Sequence, residues 1–468
     1  MKKNIFILGI LGLLLLSGCS KFLEVEDKGH STIPSFLSDV DGLNAGLVGA
    51  YYKTYVYYDN EFGKYADIAG NMFQMKYVTA GSAMLDQYNF TSSADQETGA
   101  VGYIWRRILE AMANANNVIQ YEPSVLESYP TRKDECQSIL AQALFLRALC
   151  HFDLCRVYAQ PYNYTSDASH LGVPVLLKTP GPDDNVSRST VKQVYDQIIA
   201  DLEASIETFG SLPQKDVFHA SKVAAYALLS RVYLYKEDWD NTLKYAELVQ
   251  STSSLTLAQG NDYINMYRTA SSTGESILRL DGTDQSGKLK TFYDTSVVPA
   301  DTLIGLYNSN DIRLQLLRTS ANEPYCYKYY FLTTPQALRD DPFVLRLSEI
   351  YLNKAEAYCH QTKYADARNC LKDLLKRAVD ETYADGVLAQ YTDDKLLDLV
   401  KLERVRELCA EGHNFFDIVR WKQDLVRAKN TNSTIKYLKY PSNYFVLPIP
   451  QTELDADHNM QPNPTVNK

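Results

Sequence analysis

The sequence predicts a mainly α-helical body with few short strands, and three observations support this fold class. Apolar residues recur three and four positions apart in long stretches such as "YIWRRILEAMANANNVIQY" and "ECQSILAQALFLRALCHFDLCRVYA", which is the period of a helix with one buried face. Two stretches further along the chain repeat one another and predict stacked helical hairpins. No Pro- or Gly-rich linker divides the 468 residues cleanly. We therefore expect one body in which irregular segments pack on a helical scaffold.

The first residues have the composition of a secretory signal. Lys2 and Lys3 precede an apolar run from Ile5 to Leu16. That run is shorter than the about 20 apolar residues that a membrane-spanning helix needs. A positive start followed by a short apolar core is typical of a signal that is removed. We expect no later segment to be apolar enough to span a bilayer.

The signal ends in a motif that predicts lipidation. Leu16-Ser17-Gly18-Cys19 resembles a bacterial lipobox, in which the cysteine takes a diacylglyceryl group and the signal is cleaved before it. Acyl chains anchor a protein without a spanning helix, because each buried CH₂ contributes about 0.8 kcal/mol. The alternative is an ordinary signal with a chance cysteine. We predict a signal peptide over 1–18, a lipidated Cys19 that begins an acidic tether over 19–35, and a body over 36–468.

The charge and the cysteines bear on the class of protein. The formal net charge of −10 and the pI near 5.3 argue against a nucleic-acid binder, because such a protein needs a basic surface. Of the 8 cysteines, lipidation takes one and leaves 8 − 1 = 7, an odd number. Cys150 and Cys155 lie in an apolar helical pattern, and no CxxC pair or metal-ligand spacing occurs. We predict buried free thiols, and neither a metal nor a cofactor.

Two stretches have the spacing of tetratricopeptide units. "RVYLYKEDWDNTLKYAELV" and "EAYCHQTKYADARNCLKDLL" each hold two aromatic residues separated by five others, Tyr233/Trp239 and Tyr358/Tyr364. Alanines ahead of them would let two helices approach closely. A hairpin of this kind cannot bury its apolar face alone, so it stacks on its neighbours. A generic helical hairpin would give the same spacing, and that alternative stays open.

Composition divides the rest of the body. Ser189 and Thr190 have the residue types that begin helices. Tyrosine-rich and Gly/Ser/Asp-rich stretches break the helical period, and function tends to lie on such loops. We expect an aromatic-rich irregular segment over 36–100, tetratricopeptide-like helices over 101–250 and 341–425, an irregular insertion over 251–340, and a C-terminal segment over 426–468.

Catalysis finds little support in the residues. The 7 histidines are scattered, and no HExxH, GxSxG or P-loop pattern occurs. "EGH" at Glu411–His413 is better explained as a helix end, with Gly412 at the stop position and His413 next to the negative end of the helix dipole.

A set of charged residues at helical spacing also requires an interpretation. Carboxylates so placed could flank a glycosidic bond, as in a glycoside hydrolase. The same segment supplies two arginines, however, and ion pairs that lock helix to helix explain all of the charges together. We predict this structural role for Glu403, Arg404, Glu407, Glu411, Asp417 and Arg420.

Ordered motifs run through nearly the whole chain after the signal. They include "CSKFLEVED", "FLRALCHFDLCRVY" followed by "LGVPVLL", and "ERVRELCAEGHNFFDIVRW" followed by "YFVLPIPQTELDADHNMQPNP". Together they resemble the SusD/RagB family of outer-membrane lipoproteins from Bacteroidetes nutrient-uptake systems. Trp105, Met112 and Asn116 fall where the family has a Trp…Ile…Asn helix. Asn414 stands where the family has an arginine, and Ile418 where it has a leucine.

The resemblance implies a fold in which tetratricopeptide-like helix pairs carry a variable, loop-rich ligand-binding face. It also implies a function. Proteins of this family bind nutrients, usually oligosaccharides, on the outside of the outer membrane, to which a lipid anchors them. They act as a lid on a SusC-type TonB-dependent β-barrel transporter and pass the captured ligand to its pore. No reaction is catalysed and no nucleic acid is bound.

Ligand capture is expected to rest on tyrosines and planar polar groups. Sugar rings pack their C–H faces on aromatic rings, while carboxylates and amides pair with the hydroxyls. All three tryptophans fall in helical family motifs, so tyrosines of the two irregular segments are the better platform. Asp67 and Asn71 resemble acidic positions near the family's ligand face. The candidate ligand-binding residues are Tyr65, Asp67, Asn71, Tyr77, Tyr88, Tyr293, Tyr307 and Tyr325.

Three alternatives remain open from the sequence. The same fold could bind peptides or another nutrient, because no loop tryptophan marks a sugar platform. It could serve mainly as a scaffolding subunit of the transporter. It could also be a surface-anchored glycoside hydrolase, which would require two carboxylates about 5–10 Å apart in a cleft.

Overall fold

The structure is a computed structural model that describes residues 32–464, except 182, 270–273, 318, 321–322 and 330–338. Only the backbone is described for 319–320 and 323–324. Cys19, the signal peptide over 1–18 and most of the tether over 19–35 lie outside the described residues, so these assignments stay predictions.

Helices dominate the described chain, which confirms the predicted fold class. The α-helices are α1 Ile33–Phe36, α2 Val40–Tyr58, α3 Glu61–Ala69, α4 Leu85–Asn89, α5 Ala100–Ser128, α6 Lys133–Tyr158, α7 Val191–Phe209, α8 Lys222–Tyr235, α9 Trp239–Thr252, α10 Gly260–Asn265, α11 Lys288–Thr295, α12 Asp301–Ile304, α13 Leu347–His360, α14 Tyr364–Ala378, α15 Glu381–Leu388, α16 Leu396–Leu408, α17 Asn414–Arg420 and α18 Gln451–Ala456.

The strands are short and pair two by two. Each of the four described pairs, β1–β3, β2–β6, β4–β5 and β7–β8, is antiparallel. The strands are β1 Phe73–Met75, β2 Ser276–Arg279, β3 Val297–Pro299, β4 Thr319–Ser320, β5 Glu323–Pro324, β6 Phe343–Arg346, β7 Leu425–Val426 and β8 Tyr437–Leu438.

Successive antiparallel helices form the scaffold. Helix α6 packs against α5 on one side and α7 on the other, and α2 lies across α5 and α6. Beyond them α8 pairs with α9, α9 contacts α13, and α13 pairs with α14. The buried apolar residues form one large cluster over most of the stack, and a second cluster lies between α13, α14, α15 and α16.

The two predicted tetratricopeptide-like hairpins are present, as α8–α9 and α13–α14. Within the first, Tyr233 stacks on Tyr245 with ring centroids 5.5 Å apart and planes 6° apart. Trp239, the second aromatic residue of that unit, stacks on His360 at the end of α13, with centroids 4.0 Å apart. The second aromatic residue therefore joins one hairpin to the next.

One later helix is long and apolar enough to span a membrane by composition alone, contrary to our expectation. It covers Pro130–Tyr158, and 89% of its most apolar window is buried inside the protein. Because α5, α7 and α2 cover it, its apolar residues belong to the core of the scaffold. All seven cysteines after Cys19, including Cys150 and Cys155 of this helix, are buried and unpaired, as predicted.

Helix α7 begins where the sequence predicted a cap. The side chain of Thr190 accepts a hydrogen bond from the Gln193 backbone N–H at 3.2 Å, and Gln193 Oε1 accepts one from the Thr190 N–H at 2.9 Å. This reciprocal capping box satisfies two N–H groups that the helix itself leaves unpaired.

We expect Thr190→Ala to lower the free energy of unfolding by about 1 kcal/mol, because the cap acceptor is lost. Urea unfolding followed by circular dichroism measures this change. Ser189→Ala, one residue earlier, removes a hydroxyl that bonds to none of the described residues and should stay within about 0.5 kcal/mol of the parent. Equal effects of the two variants would contradict the assigned cap.

The predicted charged set is buried and forms an ion-pair cluster. Glu407 lies at its centre, and its carboxylate contacts Arg346 Nη1 at 2.7 Å, Arg377 Nη2 at 2.6 Å and Arg313 Nη1 at 3.0 Å. Burial opposes the ionisation of Glu407, but the three guanidinium groups outweigh it and hold the pKa of its carboxyl well below the usual value. Glu407 is therefore ionised, and its ion pairs connect α16 to three other parts of the chain, which contribute Arg313, Arg346 and Arg377.

The rest of the cluster joins α16 and α17 to α13. Arg404 Nε bonds to Asp417 Oδ2 at 2.8 Å. Arg420 bonds through both terminal nitrogens to Glu356, at 2.6 and 2.8 Å. Glu411 receives Lys328 Nζ at 2.6 Å and Arg346 Nε at 2.7 Å. The predicted helix-to-helix ion pairing is confirmed.

His413 does not play the role that the sequence suggested. Gly412 takes a left-handed conformation, with φ of +75°, but it lies later in the turn than predicted, because α16 ends at Leu408 and Ala410, with φ of +61°, is the left-handed residue just after the helix cap. His413 is buried and directly precedes α17, so it lies at the positive end of a helix. Burial lowers the pKa of His413 well below its usual value, and Arg231 and Arg404 lower it further. A neutral imidazole in this position cannot complement a negative dipole end.

Candidate functional site

The two segments that the sequence predicted to be irregular, 36–100 and 251–340, meet on one side of the scaffold. Much of the first is helical instead, because α2 buries its apolar residues against α5 and α6. Strand β1 of the first pairs with β3 of the second, with Phe73 opposite Pro299 and Met75 opposite Val297. The pairing extends beyond the strands, because the Lys76 N–H donates to the Ser296 carbonyl oxygen at 2.9 Å. Residues more than two hundred positions apart therefore form one surface, which we call the tyrosine face and define by Lys76, Tyr77, Tyr325 and Tyr327.

A buried carboxyl group holds the two segments together behind this face. Asp67 of α3 accepts a hydrogen bond from the Tyr293 hydroxyl of α11 at 2.6 Å and another from the Gly412 N–H at 3.1 Å. Burial raises the pKa of Asp67 to about 7, although both hydrogen bonds oppose the rise. Through these two hydrogen bonds, Asp67 joins α3 to α11 and to the turn before α17.

Helix α11 is held at its first turn by two further carboxyl groups. Asp59 accepts from the N–H groups of Lys288 and Leu289 at 3.0 and 3.1 Å, and Asp340 Oδ2 accepts from the Lys290 N–H at 2.9 Å. Asp59 lies beside Asp340, and its negative charge opposes the ionisation of Asp340. Burial and the neighbouring Asp59 raise the pKa of Asp340 to about 8.

The exposed part of the tyrosine face combines rings with a cation. Tyr77 is 69% exposed. Lys76 Nζ donates to the Asp294 carbonyl oxygen at 2.7 Å and lies 4.6 Å from the centroid of the Tyr325 ring. Tyr325 and Tyr327 meet edge to face, with centroids 6.2 Å apart. Such a surface offers ring faces to apolar C–H groups and a polar edge to hydroxyls.

A third segment, which the sequence did not indicate, borders the same face. The loop between β7 and β8 reaches β1 through Asn432 Nδ2, which donates to the Met75 carbonyl oxygen at 2.7 Å. In the same loop Asn430 Nδ2 donates to Asp301 Oδ2 at 2.6 Å. The run "KNTNSTIKY", rich in amides and hydroxyls, is the signal that could have pointed to it. It ends at Tyr437, which is 54% exposed.

The candidate ligand-binding residues differ in their exposure. Tyr77 is exposed, Tyr325 is half-buried, and Asn71 is half-buried with its amide nitrogen donating to the Val426 carbonyl oxygen at 3.0 Å. The other five are buried, and they are Tyr65, Asp67, Tyr88, Tyr293 and Tyr307. The role of all eight in ligand binding stays a prediction.

The buried tyrosines use their hydroxyls inside the protein. The Tyr88 hydroxyl bonds to the Thr431 hydroxyl at 2.6 Å, and Tyr307 donates to the Arg406 carbonyl oxygen at 2.8 Å. The Tyr65 ring meets Phe415 edge to face at 5.7 Å. These side chains hold the backbone of the segments from which the face is built. In the described ranges, no group of three or more His, Cys, Asp or Glu side chains is arranged to hold a metal ion.

Comparison with known families gives two matches that together span most of the chain. A family model described as "Starch-binding associating with outer membrane" matches residues 21–234. A second model, described as "SusD family", matches residues 306–465. Two SusD-like proteins of Formosa agariphila are each 22% identical to the chain; one alignment covers 94% of both proteins, and the other covers 89% of the chain and 91% of the relative.

Solved structures share the fold over nearly its full length. A "putative sugar binding protein" from Bacteroides vulgatus has a TM-score of 0.80 and 26% identity, over 91% of this chain and 98% of its own. A SusD superfamily protein from Bacteroides thetaiotaomicron has a TM-score of 0.83 and 24% identity, over 91% of this chain and 100% of its own.

Proposed function

Because the chain belongs to the SusD/RagB family, we propose that it captures oligosaccharides as a surface lipoprotein of the outer membrane. The observation that carries this proposal is the tyrosine face, where Lys76 lies 4.6 Å from the Tyr325 ring of a distant segment and the next residue in the chain, Tyr77, is 69% exposed. The outer-membrane description of one matching family model and the sugar-binding title of one structural neighbour support it.

The chemistry of the face suits a sugar. A pyranose ring has C–H groups that pack on the exposed Tyr77 ring, and this contact removes apolar surface from water. Its hydroxyls would pair with the Lys76 ammonium and with the amides of Asn430 and Asn432, because each unpaired polar group in a contact costs free energy. The rigid backbone behind the face limits the entropy lost on binding.

The proposal extends to anchoring and delivery. Lipid on Cys19 would hold the protein at the outer membrane with its binding face towards the cell exterior. The partner would be a SusC-type TonB-dependent β-barrel transporter, on which the protein acts as a lid and to which it passes the ligand. No cofactor takes part. The carboxylates of the ion-pair cluster are engaged with arginines or lysine, which supports a binding role for this protein over a hydrolytic one.

We expect Tyr77→Ala to weaken binding of a neutral oligosaccharide about tenfold, which corresponds to about 1.4 kcal/mol. Isothermal titration calorimetry with the soluble protein from residue 20 onwards measures Kd against a panel of glycans and peptides. Tyr129→Ala, which removes an exposed tyrosine at the end of α5, is the matched control and should bind like the parent.

The other results of this titration would contradict the proposal in distinct ways. Binding of peptides alone would assign a different nutrient to the same fold. The absence of binding to every glycan and peptide in the panel would favour a scaffolding subunit of the transporter. Release of products from any glycan, detected by chromatography after the titration, would indicate a hydrolase.

A further inference from the structure

A large cleft lies apart from the residues that define the tyrosine face, and one of the candidate ligand-binding residues, Tyr65, belongs to its lining. It opens between the loop after α4, residues 90–94, and the C-terminal segment, residues 443–464. Its volume is about 620 Å³, within the range of about 300–1,000 Å³ that is usual for ligand pockets. We call it the C-terminal cleft.

The lining of the C-terminal cleft is uncharged. Charged residues make up 22% of the chain, yet none of the described residues that line the cleft is Asp, Glu, Lys or Arg. Polar groups are present as hydroxyls and amides, among them Ser93, Asn443 and Tyr444. A charged ligand would lose its hydration here without gaining an ionic partner, so the lining selects a neutral one.

Three polar groups of the lining are free to bind. The Ser93 hydroxyl, the Asn443 amide and the Tyr444 hydroxyl make no hydrogen bond to any of the described residues, whereas the neighbouring Ser92 hydroxyl already accepts one from Gln87 at 3.0 Å. The Tyr444 ring stands against Phe90, with centroids 6.2 Å apart. The cleft therefore offers an aromatic wall beside unpaired hydroxyl and amide groups.

The walls are held in place before any ligand arrives. Phe90 adopts a left-handed conformation with φ of +54°, which is a strained arrangement for a bulky residue and costs about 1–3 kcal/mol. Packing of its ring on Phe415, at 5.9 Å, holds it there. The two walls are also joined, because the Gln451 N–H donates to the Ala94 carbonyl oxygen at 3.0 Å.

We propose that the C-terminal cleft is a second binding site, specific for a neutral glycan. Hydroxyl-rich sugars match its free amide and hydroxyl groups, and their C–H faces match the Tyr444 ring. An extended peptide matches it less well, because a peptide that adds to a backbone edge needs N–H donors and the lining contains Pro448, Pro462 and Pro464. The same ligand class on two surfaces would hold a long glycan at two points and raise its avidity.

The test uses a protein whose tyrosine face is disabled. In the double variant Tyr77→Ala/Tyr325→Ala, titration with neutral oligosaccharides of three to eight sugars should retain one binding event. Adding Ser93→Trp, which fills the cleft from its exposed rim, should abolish that event. Asn443→Ala should weaken it about tenfold. Ser309→Trp, which places the same bulk on an exposed serine outside the lining, is the control for folding and should leave it unchanged.

The outcomes separate this proposal from the function proposed above. If the double variant binds no neutral glycan, or if Ser93→Trp binds it as well as the Ser309→Trp control, the second site is wrong. The tyrosine face is wrong instead if the double variant binds like the parent and only Ser93→Trp reduces affinity. Binding of an uncharged peptide in the cleft, or equal binding of glucuronate-containing and neutral glycans, also contradicts the neutral-glycan assignment.

Discussion

Replacing Glu407 by alanine is expected to lower the free energy of unfolding by about 3–5 kcal/mol. The variant leaves Arg313, Arg346 and Arg377 buried without the carboxylate that they share. Three guanidinium groups around one empty position repel each other, and none of them can reach water. Urea unfolding measured by tryptophan fluorescence and circular dichroism gives the change.

An exposed ion pair provides the comparison for Glu407. Asp196 pairs with Lys192 at 2.5 Å on the surface of α7, with both side chains about half exposed. We expect Asp196→Ala to change the free energy of unfolding by less than about 1 kcal/mol, as is usual for surface pairs. These guanidinium groups also pair with other carboxylates, such as Glu275 and Glu403. A small effect at Glu407 would mean that those pairs compensate for its loss, and Glu407 would not be what locks α16 to its neighbours. If Glu407→Ala does not fold at all, Glu407→Gln allows the same comparison, because it keeps one acceptor oxygen while it removes the charge and turns the other oxygen into an NH₂ donor.

The second large effect concerns pH and Asp340. The pKa of Asp340 is raised to about 8 by burial and by Asp59, from 3.8 for an unperturbed group. Between these two values the folded protein holds a proton that the unfolded chain has released. The free energy of unfolding therefore falls as pH rises towards 8, by up to about 1.4 kcal/mol per pH unit from this group. Asp67, whose pKa is raised to about 7, acts in the same direction below neutrality.

Asp340→Asn should remove this dependence. An asparagine amide stays neutral at every pH, and its oxygen accepts from the Lys290 N–H as the Asp340 carboxyl does. We expect the variant to gain stability relative to the parent as pH rises from 6 to 8.5, measured by urea unfolding at each pH. The exposed Asp366→Asn serves as the control and should follow the parent curve. Parallel curves for Asp340→Asn and the parent would contradict the raised pKa of Asp340.

Much of the fold follows from patterns that the sequence displays openly. Helical period predicted the long helices, and the spacing of Tyr233 and Trp239 predicted the hairpin turn, because both depend on contacts between residues close in the chain. The charged set over 403–420 was interpreted correctly because charges of both signs lie close together in the chain, in α16, in α17 and in the turn between them. The identities of the partners, such as Arg346 and Arg377, depend on tertiary contacts that spacing does not reveal.

The ligand face was harder to predict residue by residue. Composition pointed to two irregular segments, yet Val40–Tyr58 and Glu61–Ala69 of the first form helices α2 and α3. Within such a segment a tyrosine can face either water or the core. Tyr77 faces water, whereas Tyr293 points its hydroxyl at Asp67. That choice depends on the β1–β3 pairing and on the carboxyl groups around α11, which lie far apart in the chain. The loop between β7 and β8 was missed because its amide-rich run has neither periodicity nor aromatic density.

Some tyrosines support the backbone and others are exposed on the surface, and this separation affects how the ligand specificity of the protein can change. Tyr65, Tyr88 and Tyr293 fix the backbone from below, while Tyr77 and Tyr437 project from it without buried contacts of comparable extent. Exposed positions of this kind can be exchanged with little cost to stability, because what supports the surface lies beneath it. A duplicated gene could therefore acquire a new nutrient by a few substitutions at such positions while the scaffold sequence stays fixed. In the laboratory, the same layout favours randomising 76–78 and 429–437 in a selection for binders of other glycans.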